Sequence, residues 1–267
     1  MPSTERIGFL AVIDYEALAN KDVGEIQKLV QACRTTGIFY LNLRGSKMND
    51  VFEDVPALLE TGQAFFNLPH DSEEKTQSIR EGMERGYHEC KGFEYYEIAR
   101  EEYRDDKWLL PATLIPQQER IARTMNFFNR AIQTVVTELC AALDINFPEQ
   151  DDDPAMPCDT GLKLVYKASL EKPGHVMAPW HTDAGLATLL WNDEEMTQIQ
   201  VDDTDVNQGE DWKTVSVING TVLINIADEL AARSGGRLHS PVHRVVSPPG
   251  PNRVWNGVVY LLRPYNI

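Results

Sequence analysis

Residues 179–185 have the sequence Pro-Trp-His-Thr-Asp-Ala-Gly, and an apolar run at 186–191 follows directly. Side chains of an extended segment alternate between its two sides, so His181 and Asp183 lie on the same side. An imidazole and a carboxylate presented together supply two of the three ligands of a two-histidine, one-carboxylate iron site. Such a site leaves half of the metal's octahedron open for oxygen chemistry. The stretch is therefore a candidate metal site beside a strand, for which a second histidine must come from elsewhere in the chain. The alternative is a histidine near a strand end that is simply hydrogen-bonded.

Short apolar runs separated by turn residues continue through the second half of the chain, a pattern typical of all-β structure. We predict strands at 162–168, 186–191, 197–201, 214–218, 221–226, 242–246 and 254–262. This number of short strands predicts a jelly-roll or a β-sandwich.

The first half of the chain has mainly helical patterns. We predict strands at 7–14 and 38–41, and helices between Asp22 and Gly37, over 50–66, and from Pro116 to Leu143. Residues 78–107 have no clear period and predict a long surface excursion. We expect a single domain over 1–267, in which a helix-rich part, 1–150, supports an iron-binding jelly-roll core at 160–264.

The composition is that of a globular protein with a strong acidic excess. The chain has 41 acidic and 25 basic residues and a formal net charge of −16, which repels the phosphates of nucleic acids and anionic lipids. No stretch has the pattern of a signal peptide or a membrane span, and the four scattered cysteines form no C-x-x-C pair. We therefore expect a cytoplasmic protein with reduced cysteines, and neither nucleic acid nor membrane as a partner.

Two histidines qualify as the remaining metal ligand. His243 stands at the head of the run His-Arg-Val-Val, which the turn Ser-Pro-Pro-Gly follows at 247–250. His239 precedes Ser240-Pro241, a less regular position.

Three blocks of sequence, at 181–190, 220–228 and 236–246, occur in an order that matches a known family. They resemble the Fe(II)/2-oxoglutarate-dependent dioxygenases of the isopenicillin N synthase-like group, and segments at 12–14, 36–40 and 65–69 resemble the family's N-terminal half. The resemblance implies an α+β fold, with a double-stranded β-helix (jelly-roll) core and supporting N-terminal helices. It also implies that His181, Asp183 and His243 bind the iron, and that His239 does not.

The family's site for the distal carboxylate of 2-oxoglutarate is matched only in part. The family commonly has Arg-x-Ser ten residues after the last histidine, and Arg253 holds the arginine position, where a guanidinium can bind a carboxylate through two parallel hydrogen bonds. Trp255 holds the serine position and offers one N–H donor in place of a hydroxyl. The family's tyrosine partner aligns with either Tyr166 or Lys167, which point to opposite faces of a strand.

The resemblance implies an enzyme that uses Fe(II), 2-oxoglutarate and O2 to oxidise unactivated C–H bonds of a small molecule, by hydroxylation, desaturation or ring closure, in specialised metabolism. Candidate substrate contacts are four aromatic residues of the 78–107 segment, Tyr87, Phe93, Tyr95 and Tyr96. Two alternatives stay open. One is an iron oxidase that needs no 2-oxoglutarate and uses Arg253 to hold the substrate's own carboxylate. The other is a non-catalytic ligand-binding relative, which would have no need of three intact iron ligands.

Overall fold

The computed structural model describes residues 6–7, 10–45, 51–80, 84–90, 93–151, 156–168, 172–200, 212–248 and 254–265. Within these ranges the strands are β1 (Arg6–Ile7), β2 (Leu10–Asp14), β3 (Ile38–Asn42), β4 (Gly86–Cys90), β5 (Phe93–Ala99), β6 (Gly161–Ala168), β7 (Val176–His181), β8 (Ala187–Asn192), β9 (Thr197–Gln200), β10 (Trp212–Thr214), β11 (Thr221–Ile226), β12 (His243–Val246) and β13 (Val254–Leu262). The helices are α1 (Tyr15–Ala19), α2 (Val23–Thr35), α3 (Val51–Phe66), α4 (Glu73–Thr76), α5 (Arg100–Arg104), α6 (Gln118–Leu143) and α7 (Asp228–Arg233). None of these helices is long and apolar enough to cross a lipid bilayer.

The strands form two sheets, as the jelly-roll prediction requires. A nine-stranded sheet has the order β1-β2-β3-β11-β8-β13-β6-β5-β4, and a four-stranded sheet has the order β10-β9-β12-β7. Strands β2 and β3 pair in parallel, whereas β11 pairs antiparallel with both β3 and β8. The N-terminal strands thus extend the same sheet that carries the C-terminal β11 and β13.

Both faces of the nine-stranded sheet are buried. Helices α2, α3 and α6 cover one face, which we call the helix side, and Leu164 and Tyr166 of β6 belong to the core there. The four-stranded sheet covers the other face. Here Val165 and Trp255 pack with Met177 of β7 in what we call the inter-sheet cluster. Strand β6 therefore sends alternate side chains into two different interiors, as strand geometry requires.

The helix predicted after Asp22 is confirmed, and its end fixes a second part of the chain. The Asp22 carboxylate caps α2 by accepting a hydrogen bond from the Glu25 N–H at 2.9 Å, and Gly37 follows the helix with a φ of 67°. A side chain at Gly37 would collide with the carbonyl oxygen of His239. Glycine is therefore required here both by its backbone conformation and by the close approach of the segment that leads to β12.

Residues 86–99 correct the prediction of a surface excursion. Residues 86–90 and 93–99 of this range form the antiparallel strands β4 and β5, and β5 pairs in turn with β6. Because β5 is buried on both sides and includes Glu94 and Glu97, neither an apolar run nor a clean alternation identifies it as a strand. The strand predicted at 214–218 is also wrong, because the ladder with β9 covers only β10, Trp212–Thr214.

A buried ion pair joins the helices to these strands. The Lys75 side chain is fully buried, and its ammonium donates to the Phe66 carbonyl oxygen at 2.7 Å and to Glu94 Oε2 at 2.6 Å. The Tyr87 hydroxyl donates to the same Glu94 oxygen at 2.5 Å. These bonds compensate the cost of burying both charges, and they tie the end of α3 to β5.

We expect Lys75→Met to lower the free energy of unfolding by about 3–5 kcal/mol, because it leaves the Glu94 carboxylate buried without a counter-charge. Urea unfolding of the variant and the wild type measures this difference. The matched control is Lys21→Met, which removes an exposed lysine 3.9 Å from Glu138 and should cost less than about 1 kcal/mol. Equal losses in the two variants would contradict a structural role for the buried pair.

Candidate metal centre

The three side chains predicted as iron ligands converge in the folded chain. Nε2 of His181 lies 3.8 Å from Asp183 Oδ1, and Nε2 of His243 lies 3.6 Å from the same oxygen. The two imidazole centroids are 4.3 Å apart. Among the described residues, these are the one group of three or more potential ligands whose atoms all lie within 4.8 Å of one another.

Strand pairing accounts for the meeting of the two histidines. His181 ends β7, His243 begins β12, and the two residues are cross-strand partners in the four-stranded sheet. Asp183 follows β7 by two residues, on a loop held against the nine-stranded sheet, where the Leu186 N–H donates to the Leu262 carbonyl oxygen at 2.9 Å. The centre thus lies where the chain crosses from one sheet to the other.

The backbone orients both imidazoles in the same way. Nδ1 of His181 lies 2.8 Å from the carbonyl oxygen of Pro179, and Nδ1 of His243 lies 3.1 Å from that of Pro241. A carbonyl oxygen only accepts hydrogen bonds, so each Nδ1 carries the proton and each Nε2 keeps its lone pair for a metal. Each histidine stands two residues after a proline, a repeated signal that the sequence analysis missed.

The protonation states also suit a metal. Burial alone would raise the pKa of Asp183, but the neighbouring His243 imidazole and a hydrogen bond from Asn225 outweigh it and lower that pKa. Burial lowers the pKa of His243 more than the Asp183 charge raises it. An ionised carboxylate and a neutral imidazole are the forms that bind metal ions.

Asn225 is a functional neighbour that the sequence analysis did not identify. It lies on β11, and its side-chain amide donates to Asp183 Oδ2 at 3.0 Å. The available signal was one polar residue inside the otherwise apolar run Val-Leu-Ile-Asn-Ile of that strand. Nearby, the Thr182 hydroxyl donates to Asp228 Oδ2 at 2.8 Å.

The donor set fits iron(II), which accepts two imidazole nitrogens and one carboxylate oxygen on one side of its octahedron. The His181 side chain is 44% exposed, whereas those of Asp183 and His243 are 17% and 13% exposed. The cluster is therefore accessible to small molecules from the side of His181.

His239 does not join the cluster. Its backbone N–H donates to the carbonyl oxygen of Cys33 at 2.9 Å, and it lacks the proline two residues earlier that the two clustered histidines have. Its segment packs against the end of α2 instead.

The structure separates the two candidates for the family's tyrosine position. Tyr166 faces the helix side, where its hydroxyl donates to Asn67 Oδ1 at 2.8 Å and its ring stacks on Phe66 at 5.4 Å. Lys167 faces the opposite way and is the cross-strand partner of Trp255. It is half-buried, and no carboxylate among the described residues pairs with its ammonium. Arg253 lies outside the described residues.

The candidate aromatic contacts also divide between the two sides. Phe93 and Tyr95 pack in the inter-sheet cluster, where the Phe93 ring lies 6.2 Å from that of Trp255. Tyr87 and Tyr96 belong to the helix-side core, and their rings contact Phe65 at 5.8 and 5.5 Å. The structure therefore places only Phe93 and Tyr95 on the same side of the sheet as Lys167.

Comparison with known proteins gives two family matches that follow each other along the chain. Residues 156–258, which contain the cluster, match the 2OG-Fe(II) oxygenase superfamily. Residues 10–106 match the N-terminal domain described as that of a non-haem dioxygenase in morphine synthesis.

Individual relatives and solved structures agree with these matches. The chain is 25% identical to 2-oxoglutarate-dependent dioxygenase FG08081 of Gibberella zeae, over 90% of this chain and 75% of that protein. It is 27% identical to 2-oxoglutarate-dependent dioxygenase frbH of Dothideomycetidae sp., over 89% of this chain and 76% of that protein.

The dioxygenase for auxin oxidation of rice superposes with a TM-score of 0.74 at 21% identity, over 95% of this chain and 83% of that chain. AtDAO1, the dioxygenase for auxin oxidation 1 of Arabidopsis thaliana, superposes in its 2-oxoglutarate complex with a TM-score of 0.75 at 19% identity, over 97% and 94%. At these identities the superpositions establish the fold, and it is the family match that identifies residues 156–258, which contain the cluster, as belonging to the 2OG-Fe(II) oxygenase superfamily.

Proposed function

We propose that this protein, an Fe(II)- and 2-oxoglutarate-dependent oxidoreductase by family, oxidises an unactivated C–H bond of a small molecule with iron held by His181, Asp183 and His243. The observation that carries the assignment of ligands is the convergence of two Nε2 atoms and Oδ1 of Asp183 within 4.8 Å. Bound iron would supply the activation of O2, with 2-oxoglutarate converted to succinate and carbon dioxide.

The protein's own part in this chemistry is to hold and orient. The carbonyl oxygens of Pro179 and Pro241 fix the tautomers of the two histidines, and the amide of Asn225 fixes the carboxylate. A rigid ligand set of this kind presents the same open side to each incoming cosubstrate and substrate.

For the cosubstrate, we assign the distal carboxylate of 2-oxoglutarate to Arg253 and Lys167. Lys167 supports this because its ammonium is half-buried on the inter-sheet side and no carboxylate of the described chain compensates it. A half-buried cation without a counter-charge is stabilised when an anionic ligand binds beside it. Lysine also offers a charged donor beside Trp255, where the family's serine hydroxyl is missing.

The substrate we propose is a small molecule with an apolar portion, contacted by Phe93 and Tyr95 from the inter-sheet side. A net charge of −16 disfavours a nucleic acid. A place in specialised metabolism is part of this proposal and rests on the family resemblance.

One feature favours a second candidate function, an iron oxidase that does not use 2-oxoglutarate. Trp255 is buried among the residues between the sheets, and an indole occupies far more volume there than a serine. If it fills the cosubstrate's place, Arg253 is left to bind a carboxylate of the substrate itself.

For the metal ligands, we expect Asp183→Ala and His243→Ala to lose bound iron and all oxygen-dependent succinate formation, while far-ultraviolet circular dichroism stays that of the wild type. His239→Ala is the control, because this histidine lies outside the cluster, and it should keep both iron and turnover. Iron content after gel filtration and succinate production measure the outcome. Equal iron loss in the two histidine variants would contradict the assignment of His243.

For the cosubstrate, we expect Arg253→Ala to weaken 2-oxoglutarate binding by about 30-fold or more, since losing one member of a buried charge pair costs about 2–5 kcal/mol. Lys167→Met should weaken it by about tenfold, or about 1.4 kcal/mol, and Lys107→Met, at an exposed position, should not change it. Anaerobic titration of the Fe(II) protein, followed by the visible charge-transfer band of the chelate, measures each affinity.

Trp255→Ser distinguishes the two candidate functions. If the indole only fills space beside a working arginine, 2-oxoglutarate affinity should stay within about tenfold of the wild type. Binding that appears only in the serine variant, together with substrate oxidation by the wild type without succinate, would establish the 2-oxoglutarate-independent oxidase.

A further inference from the structure

The two oxygens of the Asp183 carboxylate have different partners. Oδ1 faces the two imidazoles, at 3.8 and 3.6 Å from their Nε2 atoms. Oδ2 accepts the hydrogen bond from the Asn225 side-chain amide at 3.0 Å. Asn225 is only 6% exposed and lies on β11, between β3 and β8 in the nine-stranded sheet. The sheet therefore fixes the backbone position from which its side-chain amide reaches Asp183.

The backbone of the Asp183 loop is held by bonds that do not involve the Asn225 side chain. The Asp228 N–H donates to the Asp183 carbonyl oxygen at 2.9 Å, and the Glu229 N–H donates to that of Gly185 at 2.9 Å. The Ala227 N–H donates to the carbonyl oxygen of Leu186 at 3.1 Å. Because these contacts keep the loop in place, the Asn225 amide is not needed to position the loop, and its bond to Oδ2 bears on the rotation of the carboxylate.

That rotation matters because a carboxylate can bind a metal through one oxygen or through two. Two imidazoles and one carboxylate oxygen leave three of six octahedral positions open. A second carboxylate oxygen would fill one of them, and the remaining two could not take a chelating 2-oxo acid and oxygen together. An oxygen engaged with an amide N–H is already satisfied and has less tendency to turn toward the metal.

We propose that Asn225 is a positioning residue that keeps Asp183 a one-oxygen ligand and thereby reserves a coordination position for the cosubstrate or oxygen. This inference rests on the metal site of the proposed function. It concerns how many positions stay open, which can be measured without turnover and without knowledge of the substrate.

The experiment uses the full chain loaded with Mn(II), whose effect on water proton relaxation reports the number of coordinated waters. In Asn225→Leu, the relaxation enhancement per bound Mn(II) should fall by about a third, as expected when one of three open positions is lost. At saturating Mn(II), 2-oxoglutarate should bind about tenfold more weakly than to the wild type, or about 1.4 kcal/mol. The Mn(II) affinity itself should fall by less than the 2-oxoglutarate affinity.

The matched control is Asn129→Leu. This substitution removes a side-chain amide that accepts a bond from the Tyr260 hydroxyl at 3.1 Å, on the helix side of the same sheet. It should leave both the water count and 2-oxoglutarate binding unchanged. Asn225→Ala serves as a second variant, which removes the amide and leaves a smaller side chain than leucine does.

Three results would overturn the inference. The first is an unchanged water count in both Asn225 variants, and the second is wild-type 2-oxoglutarate affinity at saturating metal. The third is a loss of Mn(II) binding in both variants, which would make Asn225 a general support of the metal site. If the assignment of 2-oxoglutarate as cosubstrate is wrong, the result differs from all three, because the wild type would then bind Mn(II) with its normal water count but show no response to 2-oxoglutarate.

Discussion

Burial of both faces of the nine-stranded sheet is the constraint on which the metal centre depends. Helices α2, α3 and α6 cover one face and the four-stranded sheet covers the other, so each residue of a central strand is committed to one of two interiors. Ile224 goes to the helix side, and its neighbour Asn225 goes toward Asp183. A slip of one residue in β11 would exchange them and bring an aliphatic side chain to the metal site. Strand register thus determines the chemistry of the site as much as it determines packing.

The same constraint decides how charges are distributed inside the molecule. Lys75 and Glu94 neutralise each other on the helix side. Glu97 is bound by Lys163 at 3.1 Å and by Arg263. These buried groups are satisfied within the chain, as stable folding requires. Lys167 differs, because no carboxylate among the described residues pairs with it, and the role that we propose for it toward the cosubstrate rests on this difference.

The parts of the structure that local patterns encode could be predicted from the sequence. The spacing of His181 and Asp183 and the run that begins at His243 are short-range signals, and the structure brings these three side chains together. The fold class followed from the short apolar runs of the second half and from the family blocks. The capped helix after Asp22 was equally local.

Other features depend on contacts that no local pattern records. The choice between Tyr166 and Lys167 required knowledge of which face of β6 the helices cover. The β5 strand escaped detection because its carboxylates are paired with residues far away in the sequence, such as Lys75 and Arg263, and so resemble exposed charges when the sequence is considered alone. Asn225 acquires its role only when β11 lies beside β8 and the loop that follows β7.

Both sheets contribute residues to the centre, so the packing between the sheets affects the positions of the metal ligands. His181 and His243 come from neighbouring strands of the four-stranded sheet, whereas Asp183 is fixed by Asn225 of the nine-stranded sheet. The distance between carboxylate and imidazoles is therefore set by the separation of the sheets, which the inter-sheet cluster maintains. Trp255 and Met177 belong to that cluster, and Met177 lies four residues before His181 on the same strand. The indole of Trp255 thus helps to space the sheets, in addition to the place that we propose for it beside the cosubstrate. Because close-packed interiors respond to a change of even one methylene, we expect the loss of the indole's volume at residue 255 to change the separation of the sheets, and with it the distance between Asp183 and the two imidazoles.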